Sequence, residues 1–540
     1  MEPLPRHLSV PRPMQQEAVD QIVEHFDRGT RVVVLNGPTG SGKTLIGEMV
    51  RRAMKVRGIY ACTTIGLQNQ FLTDFTYGRL LKGRANYPTE HRADKTAEDC
   101  MGREVCFLCD AWRSCPYQIA RREAMGADLA VVNTSYWLHE VNLGGGNFGY
   151  DKRLNVPQDF IIFDEADELE SSLMGFVEFR SWGSRRLGMQ FYAEPPKKGA
   201  RIPTIINWLT EYTRAIEQWA KTRSEIRDLN SASGHIGEVM KLQGELQAEM
   251  ERAGDRDEDE KYERVWVRDY SYDDRLTYKP VKVDLFGQRM LWRHSKQFLL
   301  MSATMIAPRY RMQTLGWDED EHGEIAVVDM PMQFPVANRP IYMCPVAKMN
   351  FKQRDEEFPR LVAGIVTIAE RNPGVRILVH TVSYKLTSDL RVALRRELPR
   401  RMVVSYTKSA ERDEAMRKYS EIDNAIMLAP SMGRGFDFKD DLARVVVIIK
   451  VPYASIGDRQ VSSRLHSSDG RMWYDVSAVS EIVQMTGRGV RSAEDHCETW
   501  ILDADFPAKL WKERKDLFPR WWREAVETMP PRALITKKVG

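Results

Sequence analysis

The sequence predicts an α/β protein with two parallel-sheet domains. Short runs rich in Val and Ile alternate with longer helix-compatible stretches. Within each run the apolar residues are continuous rather than alternating. Strands buried on both faces read this way, and parallel sheets flanked by helices bury both faces. The runs fall into two series, so two such domains are expected, the second starting near Met305.

In the first series the runs are Arg31–Asn36 (RVVVLN), Ile59–Thr64 (IYACTT), Leu129–Thr134 (LAVVNT), Phe160–Asp164 (FIIFD) and Phe298–Met301 (FLLM). In the second they are Arg376–Thr381 (RILVHT), Met402–Thr407 (MVVSYT), Ala425–Pro430 (AIMLAP), Val445–Lys450 (VVVIIK) and Trp500–Asp503 (WILD). Two insertions interrupt the first series. The expected layout is a first domain assembled from 1–75, 127–167 and 284–304, a cysteine-bearing insertion at 76–126, a mainly helical insertion at 168–283, and a second domain at 305–540. In the helical insertion Ile205, Leu209, Tyr212, Ile216, Trp219 and Ile226 follow three–four spacing, and after a turn at Asn230–Gly234 so do Val239, Leu242, Leu246 and Met250. That pattern predicts a helical hairpin with one apolar seam. The acidic run Asp255–Glu260 reads as a solvated loop.

At 540 residues, 43% hydrophobic and 29% charged, the chain has the length and composition of a multidomain globular protein. A net charge of +3 excludes a uniformly basic chain, so any nucleic-acid groove must be a local arrangement of charge. No stretch reaches the roughly 20 apolar residues of a membrane span, and the opening MEPLPRHLSVPRPM has no apolar signal core. A cytosolic protein without membrane contact is expected. In a reducing cytosol, four of the seven cysteines crowding between Cys100 and Cys115 favour metal over disulfides.

Gly37, Pro38, Thr39, Gly40, Ser41, Gly42, Lys43 and Thr44 read GPTGSGKT, after VVVLN and before LIGEMVRRAM. This is the strand–loop–helix setting of a phosphate-binding loop. Its glycines let backbone N–H groups curl toward phosphate oxygens, and the helix adds its positive end. Lys43 would neutralise the outer phosphates, and the Thr44 hydroxyl would hold Mg²⁺. Asp164 and Glu165 end the apolar run in FIIFDEAD. Asp164 would hold the Mg²⁺ and Glu165 would polarise the attacking water of ATP hydrolysis.

With these motifs the chain resembles the superfamily 2 helicases over nearly its whole length. Arg12–Gln15 (RPMQ) resembles the adenine-reading motif, with Gln15 on the base. Thr63–Gln70 (TTIGLQNQ) resembles the first strand-contacting motif and Asp164–Asp167 the DEAD motif. Ser302–Thr304 (SAT) resembles the motif that couples hydrolysis to domain motion. His380–Tyr384 (HTVSY) stands at the fourth motif, Gly433–Asp437 (GRGFD), with Gly435 and Asp437 toward the nucleotide, at the fifth, and Gln484–Arg491 (QMTGRGVR) at the sixth. The resemblance implies two RecA-like domains. It also implies that Gln484, Arg488 and Arg491 reach ATP from the second domain. The two arginines are three residues apart, so a helix would put both on one face.

Within that superfamily, LKGRANYP, the cysteines ending in CPY, and ADLAVVNTSYWL resemble the XPD/DinG iron–sulfur helicases, and the second insertion falls where that family carries its arch domain. The sequence departs from the family pattern at Thr89, where a cysteine often stands, in reading DEAD where DEAH is usual, and at Arg434. The resemblance implies 5′-to-3′ movement on single-stranded DNA and forked or single-stranded DNA as partner. Cys100, Cys106, Cys109 and Cys115 suit a [4Fe–4S] cluster or, alternatively, tetrahedral Zn²⁺. Spacing does not separate the two, and position in the chain favours iron–sulfur. Cys62, Cys344 and Cys497 lie in or beside apolar runs and are expected in the core. Candidate nucleic-acid contacts by motif position are Thr64, Gln70, Asn133, Tyr136, Ser383 and Tyr384. Two other readings stand beside the helicase. One is a translocase that remodels complexes without unwinding. The other is a nucleotide-gated binding module, against which Glu165, Arg488 and Arg491 argue as a hydrolytic set.

Overall fold

The computed structural model describes residues 4–5, 8, 10–90, 94–100, 108–143, 158–197, 199–253, 266–272, 274–430, 440–487, 489–490 and 495–535. Its strands in chain order are β1 (Val32–Asn36), β2 (Gly58–Cys62), β3 (Arg79–Leu81), β4 (Leu129–Asn133), β5 (Gln158–Asp164), β6 (Phe179–Arg180), β7 (Trp266–Tyr272), β8 (Arg275–Pro280), β9 (Ser295–Ser302), β10 (Ala326–Asp329), β11 (Ile341–Ala347), β12 (Ile377–His380), β13 (Met402–Ser405), β14 (Ala425–Ala429), β15 (Val445–Ile448), β16 (Glu498–Asp503) and β17 (Val526–Thr528). Two seven-stranded sheets form, in the orders β10-β1-β9-β5-β2-β4-β3 and β13-β14-β12-β15-β16-β11-β17. Their registers are parallel throughout the described strands. These are two RecA-like α/β lobes, as the Val/Ile runs predict.

The lack of polar–apolar alternation has the expected cause. Val33, Leu35, Tyr60, Val131, Ile162 and Leu299 pack into a core on one face of the first sheet. Their neighbours Val32, Val34, Ile59, Val132, Ile161 and Leu300 pack on the other. The second sheet is likewise enclosed by two separate clusters. Cys62, Cys344 and Cys497 are buried among them. The C-terminal aromatics Phe506, Trp511, Phe518 and Trp522 form one packed group in the second lobe.

Three sequence expectations change. The first lobe does not end near Met305, because β10 returns to pair with β1, Val33 opposite Ala326, so this sheet takes in residues up to Asp329. A four-residue edge strand carries too little pattern to be read in advance. The helical hairpin is present as Ile202–Lys221 and Ile226–Ala253, but it turns at 222–225, and Asn230–Gly234 lies inside the second helix. Ala232 and His235 are buried there, so the apolar seam carries the helix through a stretch of weak helix formers. The second insertion also holds a three-stranded antiparallel sheet, β6-β8-β7.

The two insertions touch. Asn230 donates to the Cys100 carbonyl. Arg227 lies 3.6 Å from Glu98, and Lys95 lies 3.7 Å from Glu225. Among the described residues no helix is long and apolar enough to cross a membrane.

Where the second insertion rejoins the first lobe, the helix Asp284–Met290 lies directly on the chain at Leu315–Gly316. A methyl group added at Gly287 would sit 1.8 Å from the Leu315 carbonyl oxygen. Backbone on both sides leaves no flexible side chain to yield. Gly287→Ala is therefore expected to destabilise the first lobe by about 3 kcal/mol, seen as a lower denaturant midpoint. A parent-like midpoint would rule out this close approach.

Candidate nucleotide site

The site is set by three neighbouring strands, β1, β9 and β5, which end level. Asn36 pairs with Ser302, and Met301 pairs with Asp164. Their carboxyl ends therefore deliver the phosphate loop, the SAT segment and the DEAD segment side by side, at the edge where open α/β sheets bind ligands.

After Asn36 the chain curls through Gly40 and Gly42, both left-handed at φ 81° and 82°, into the helix Lys43–Met54. The Gln15 amide donates to the Ser41 carbonyl at 3.0 Å and accepts from the Arg12 backbone N–H at 2.9 Å. Arg12 also donates to the Gly40 carbonyl at 3.0 Å. A methyl group at Gly42 would lie 2.2 Å from the Gln15 amide nitrogen, so only glycine fits. Lys43 turns back onto the Gly37 carbonyl at 2.9 Å, and the Ser41 hydroxyl is buried without a partner. A loop with an ammonium folded on its own backbone and an unsatisfied hydroxyl has donors ready for phosphate oxygens.

Across from the loop, Asp164 Oδ2 accepts the hydroxyl of Tyr60, and Oδ1 accepts the Glu165 backbone N–H at 3.1 Å. Burial raises the Asp164 carboxyl above its ordinary value, against the pull of the Tyr60 hydroxyl and of Lys43. Burial and the adjacent Asp164 also push the Tyr60 phenol well above its usual value, so it stays a donor. Glu165 is left-handed at φ 54°, a strained conformation for a non-glycine residue and typical of functional turns. That turn swings Asp167 back under the end of β9. There it accepts from Ser302 at 2.7 Å and Thr304 at 2.6 Å.

The path continues into the second lobe. Ser480, on the helix Gly470–Thr486, donates to the Thr304 carbonyl at 3.2 Å and accepts from Arg311 at 2.7 Å. The same helix carries Gln484. Thr39, Glu165, Thr304, Arg339, Gln484 and Gly487 line a cavity of about 60 Å³ between the lobes. At its end, a methyl group on Gly487 would stand 3.7 Å from the Thr39 hydroxyl of the phosphate loop. Gly489 squeezes between Cys497 and the Ala443 carbonyl, which a methyl group would meet at 2.3 Å and 2.4 Å. Arg488, Arg491, Gly435, Asp437 and Cys106 lie outside the described residues.

Sequence reasoning missed Tyr60, Arg311, Ser480 and Arg339. Each meets partners far along the chain, and none carries a motif signal.

The strand-contact candidates fall at the carboxyl ends of β2, β4 and β12. Thr64 caps the helix Ile65–Asp74 through Leu67 N–H, and Gln70 on it is exposed. Asn133 donates to the Thr63 carbonyl at 2.7 Å and so ties two of these segments together. Tyr136 is half-buried with its hydroxyl 3.1 Å from that of Tyr117, whereas Trp137 is core. Ser383 caps the helix Tyr384–Glu397, and Tyr384 is exposed. Arg84, ahead of the cysteines in the chain, is taken up by the Ala97 and Cys100 carbonyls. Cys100, Cys109 and Cys115 are half-buried, and none of them forms a disulfide. Among the described residues no group of three or more metal-type side chains converges.

A phosphate loop on one α/β lobe, faced by a helix end from a second such lobe, defines a two-lobed nucleotide-driven machine of helicase type. Two family models match. "Helicase C-terminal domain" covers residues 365–525, and "Type III restriction enzyme, res subunit" covers residues 8–172. The ATP-dependent DNA helicase XPD of Sulfolobus acidocaldarius is 22% identical over 93% of this chain and 97% of its own length. A Fanconi anemia group J protein homolog of Gallus gallus is 26% identical over 28% of this chain and 14% of its own. A solved XPD helicase structure superposes with a TM-score of 0.64 at 17% identity, covering 96% of this chain and 99% of that one. In sequence and fold the chain is similar to the XPD-like superfamily 2 helicases.

The Arg311–Ser480 contact crosses between the lobes. In a double-mutant cycle, Arg311→Leu and Ser480→Ala are expected to couple by about 2 kcal/mol in unfolding free energy, the worth of a hydrogen bond to a charged group. Additive effects would mean that the pair does not interact.

Proposed function

We propose that this chain is an ATP-driven DNA helicase that moves 5′ to 3′ along single-stranded DNA and opens duplex ahead of it. One observation carries the reading most directly. Asp167 of the DEAD segment accepts from Ser302 and Thr304, and the Thr304 carbonyl accepts from Ser480 on the second lobe. A change at the phosphate site thereby has a physical route to the other lobe.

In this reading Lys43 and the loop N–H groups hold the β- and γ-phosphates, and Gln15 lies toward the base. Thr44 and Asp164 hold a Mg²⁺ ion, which neutralises charge between the phosphates when bound. The described residues suit that ion, with a buried carboxylate and a hydroxyl on adjoining elements. Glu165 orients water toward the γ-phosphate. Gln484, Arg488 and Arg491 approach from the second lobe, and the guanidinium groups would stabilise charge on the transferring phosphoryl group. Thr64, Gln70, Asn133, Tyr136, Ser383 and Tyr384 would line the strand path along the carboxyl ends of both sheets. Gly435 and Asp437 would face the nucleotide from the second lobe.

The cysteine insertion would hold a [4Fe–4S] cluster through Cys100, Cys106, Cys109 and Cys115, with Zn²⁺ as the alternative occupant. Soft thiolates suit either. The chain around them is braced from outside, since the Cys100 carbonyl takes Arg84 at 3.3 Å and also Asn230.

Glu165→Gln is expected to lower DNA-stimulated ATP turnover by about 10²–10⁴-fold while nucleotide binding persists. Turnover at the parent rate would refute the role given to Glu165. On a forked duplex, ATP hydrolysis without strand separation would favour a translocase that does not unwind. Anaerobically purified protein should carry the broad visible absorbance of an iron–sulfur chromophore. Colourless, zinc-containing protein would exclude the cluster.

A further inference from the structure

Strand β2 delivers one polar side chain to the floor of the nucleotide site. Ile59 and Ala61 face the opposite core, and the Cys62 thiol is turned to the Thr64 and Val132 carbonyls. Tyr60 is 1% exposed, with its ring tilted against Phe71 at 4.0 Å between centroids. Its hydroxyl donates to Asp164 Oδ2. Thr44 and Asp164 are the two side chains assigned to Mg²⁺ in the proposed function, on which this inference rests.

The geometry points to Tyr60 as a positioning residue of the Mg²⁺ site, whose hydroxyl holds the Asp164 carboxylate in orientation before the ion arrives. A carboxylate offers about four lone-pair sites. The Tyr60 hydroxyl takes one on Oδ2, and the Glu165 N–H takes one on Oδ1 at 3.1 Å. Lone pairs remain on both oxygens for the ion or its waters, so Tyr60 need not leave when Mg²⁺ binds. Without the hydroxyl, Asp164 would keep only the Glu165 N–H among these donors. The carboxylate could then swing about its side-chain torsions and lose its alignment with Thr44. Groups that orient metal ligands in this manner are typically worth 10–100-fold in metal affinity. A tyrosine that merely buries its ring beside Phe71 predicts something different: a lower melting temperature and an unchanged response to Mg²⁺.

The test uses the full chain with Tyr60→Phe, which keeps the ring. Binding of a fluorescent ADP analogue is followed as Mg²⁺ is raised, and again in EDTA. The expected result is a rise of roughly tenfold or more in half-saturating Mg²⁺, with unchanged affinity in EDTA and a parent-like melt. A folded Tyr60→Phe protein with the parent's half-saturating Mg²⁺ overturns the assignment. Should that variant fail to fold, Tyr60→Met also lacks the hydroxyl and is read the same way. If the parent itself binds no nucleotide, or binds it with no dependence on Mg²⁺, the nucleotide reading fails and takes this assignment with it. That failure is told apart because it appears in the unmutated chain.

Discussion

The level endings of β1, β9 and β5 govern the rest of the site. Adjacent strands lie about 4.8 Å apart, so two strand spacings separate the phosphate loop from the DEAD carboxylates, with the SAT hydroxyls between them. In a sheet buried on both faces hydrophobicity alone fixes register weakly, because a slipped strand still presents apolar side chains to both sides. Polar groups at the strand ends supply what the core does not. The Gly37 N–H bonds the Ser302 carbonyl at 3.0 Å, and the Met330 N–H bonds the Asn36 carbonyl at 2.8 Å. The Asn36 amide reaches Asp329 at 3.1 Å. A one-residue slip of β1 would break these bonds together, and one of β9 would break the first of them and pull Ser302 and Thr304 off Asp167.

The same constraint explains where the backbone is strained. Glu165 at φ 54° and Val382 at φ 61° both sit just past the carboxyl end of a strand. A left-handed β-branched residue such as Val382 is a genuine outlier. At Glu165 the sharp turn lets Asp167 fold back onto β9. At Val382 it lets Ser383 step off β12 and cap the following helix through Leu386 N–H at 3.2 Å. Such conformations persist where the surrounding structure over-determines them. Here the buried pair Ser302 and Thr304 does so at one site and the helix cap at the other.

The strands that the sequence revealed are those buried on both faces, since continuous Val and Ile cannot be mistaken for a solvated surface. Those it hid are short or irregular. Arg79–Leu81 and Val526–Thr528 have three residues each. Ile341–Ala347 contains Pro345 and shifts register between Met343 and Ala347, so it breaks its own pattern. The phosphate loop was legible because its chemistry is local, eight consecutive residues doing one job. Tyr60 and Ser480 were not. Their partners stand 104 and 169 residues away, and nothing in GIYAC or VSAVSEI distinguishes them from core. The hairpin turn was misplaced because NSASG looks like a loop until its small residues are seen lying under an apolar seam.

How the two lobes meet bears on whether they can move. Each sheet has its own hydrophobic clusters, but Ile306, from the chain after β9, is buried in the second lobe's cluster, and beside it stand polar contacts: Arg311 with Ser480, Tyr310 with Asp469 at 2.9 Å, and Arg464 with Glu170 at 2.8 Å. Against the effect of burial, hydrogen bonds from Lys282, Tyr310 and Ser467 hold the Asp469 carboxyl down to about 2, so it stays charged and paired at neutral pH. Water can take over each polar bond broken when this seam opens, so the apolar cost of opening falls on Ile306 and its neighbours. The arch-like insertion is placed differently. Its hairpin shares one continuous cluster with the underside of the first sheet. The chain at its base meets the second lobe through Gln460 on the Val281 carbonyl at 2.7 Å and Lys279 opposite Asp458 at 3.7 Å. The insertion is therefore fused by apolar packing to one lobe and latched by polar contacts to the other. Any motion that separates the lobes must strain those latches before it disturbs the packing.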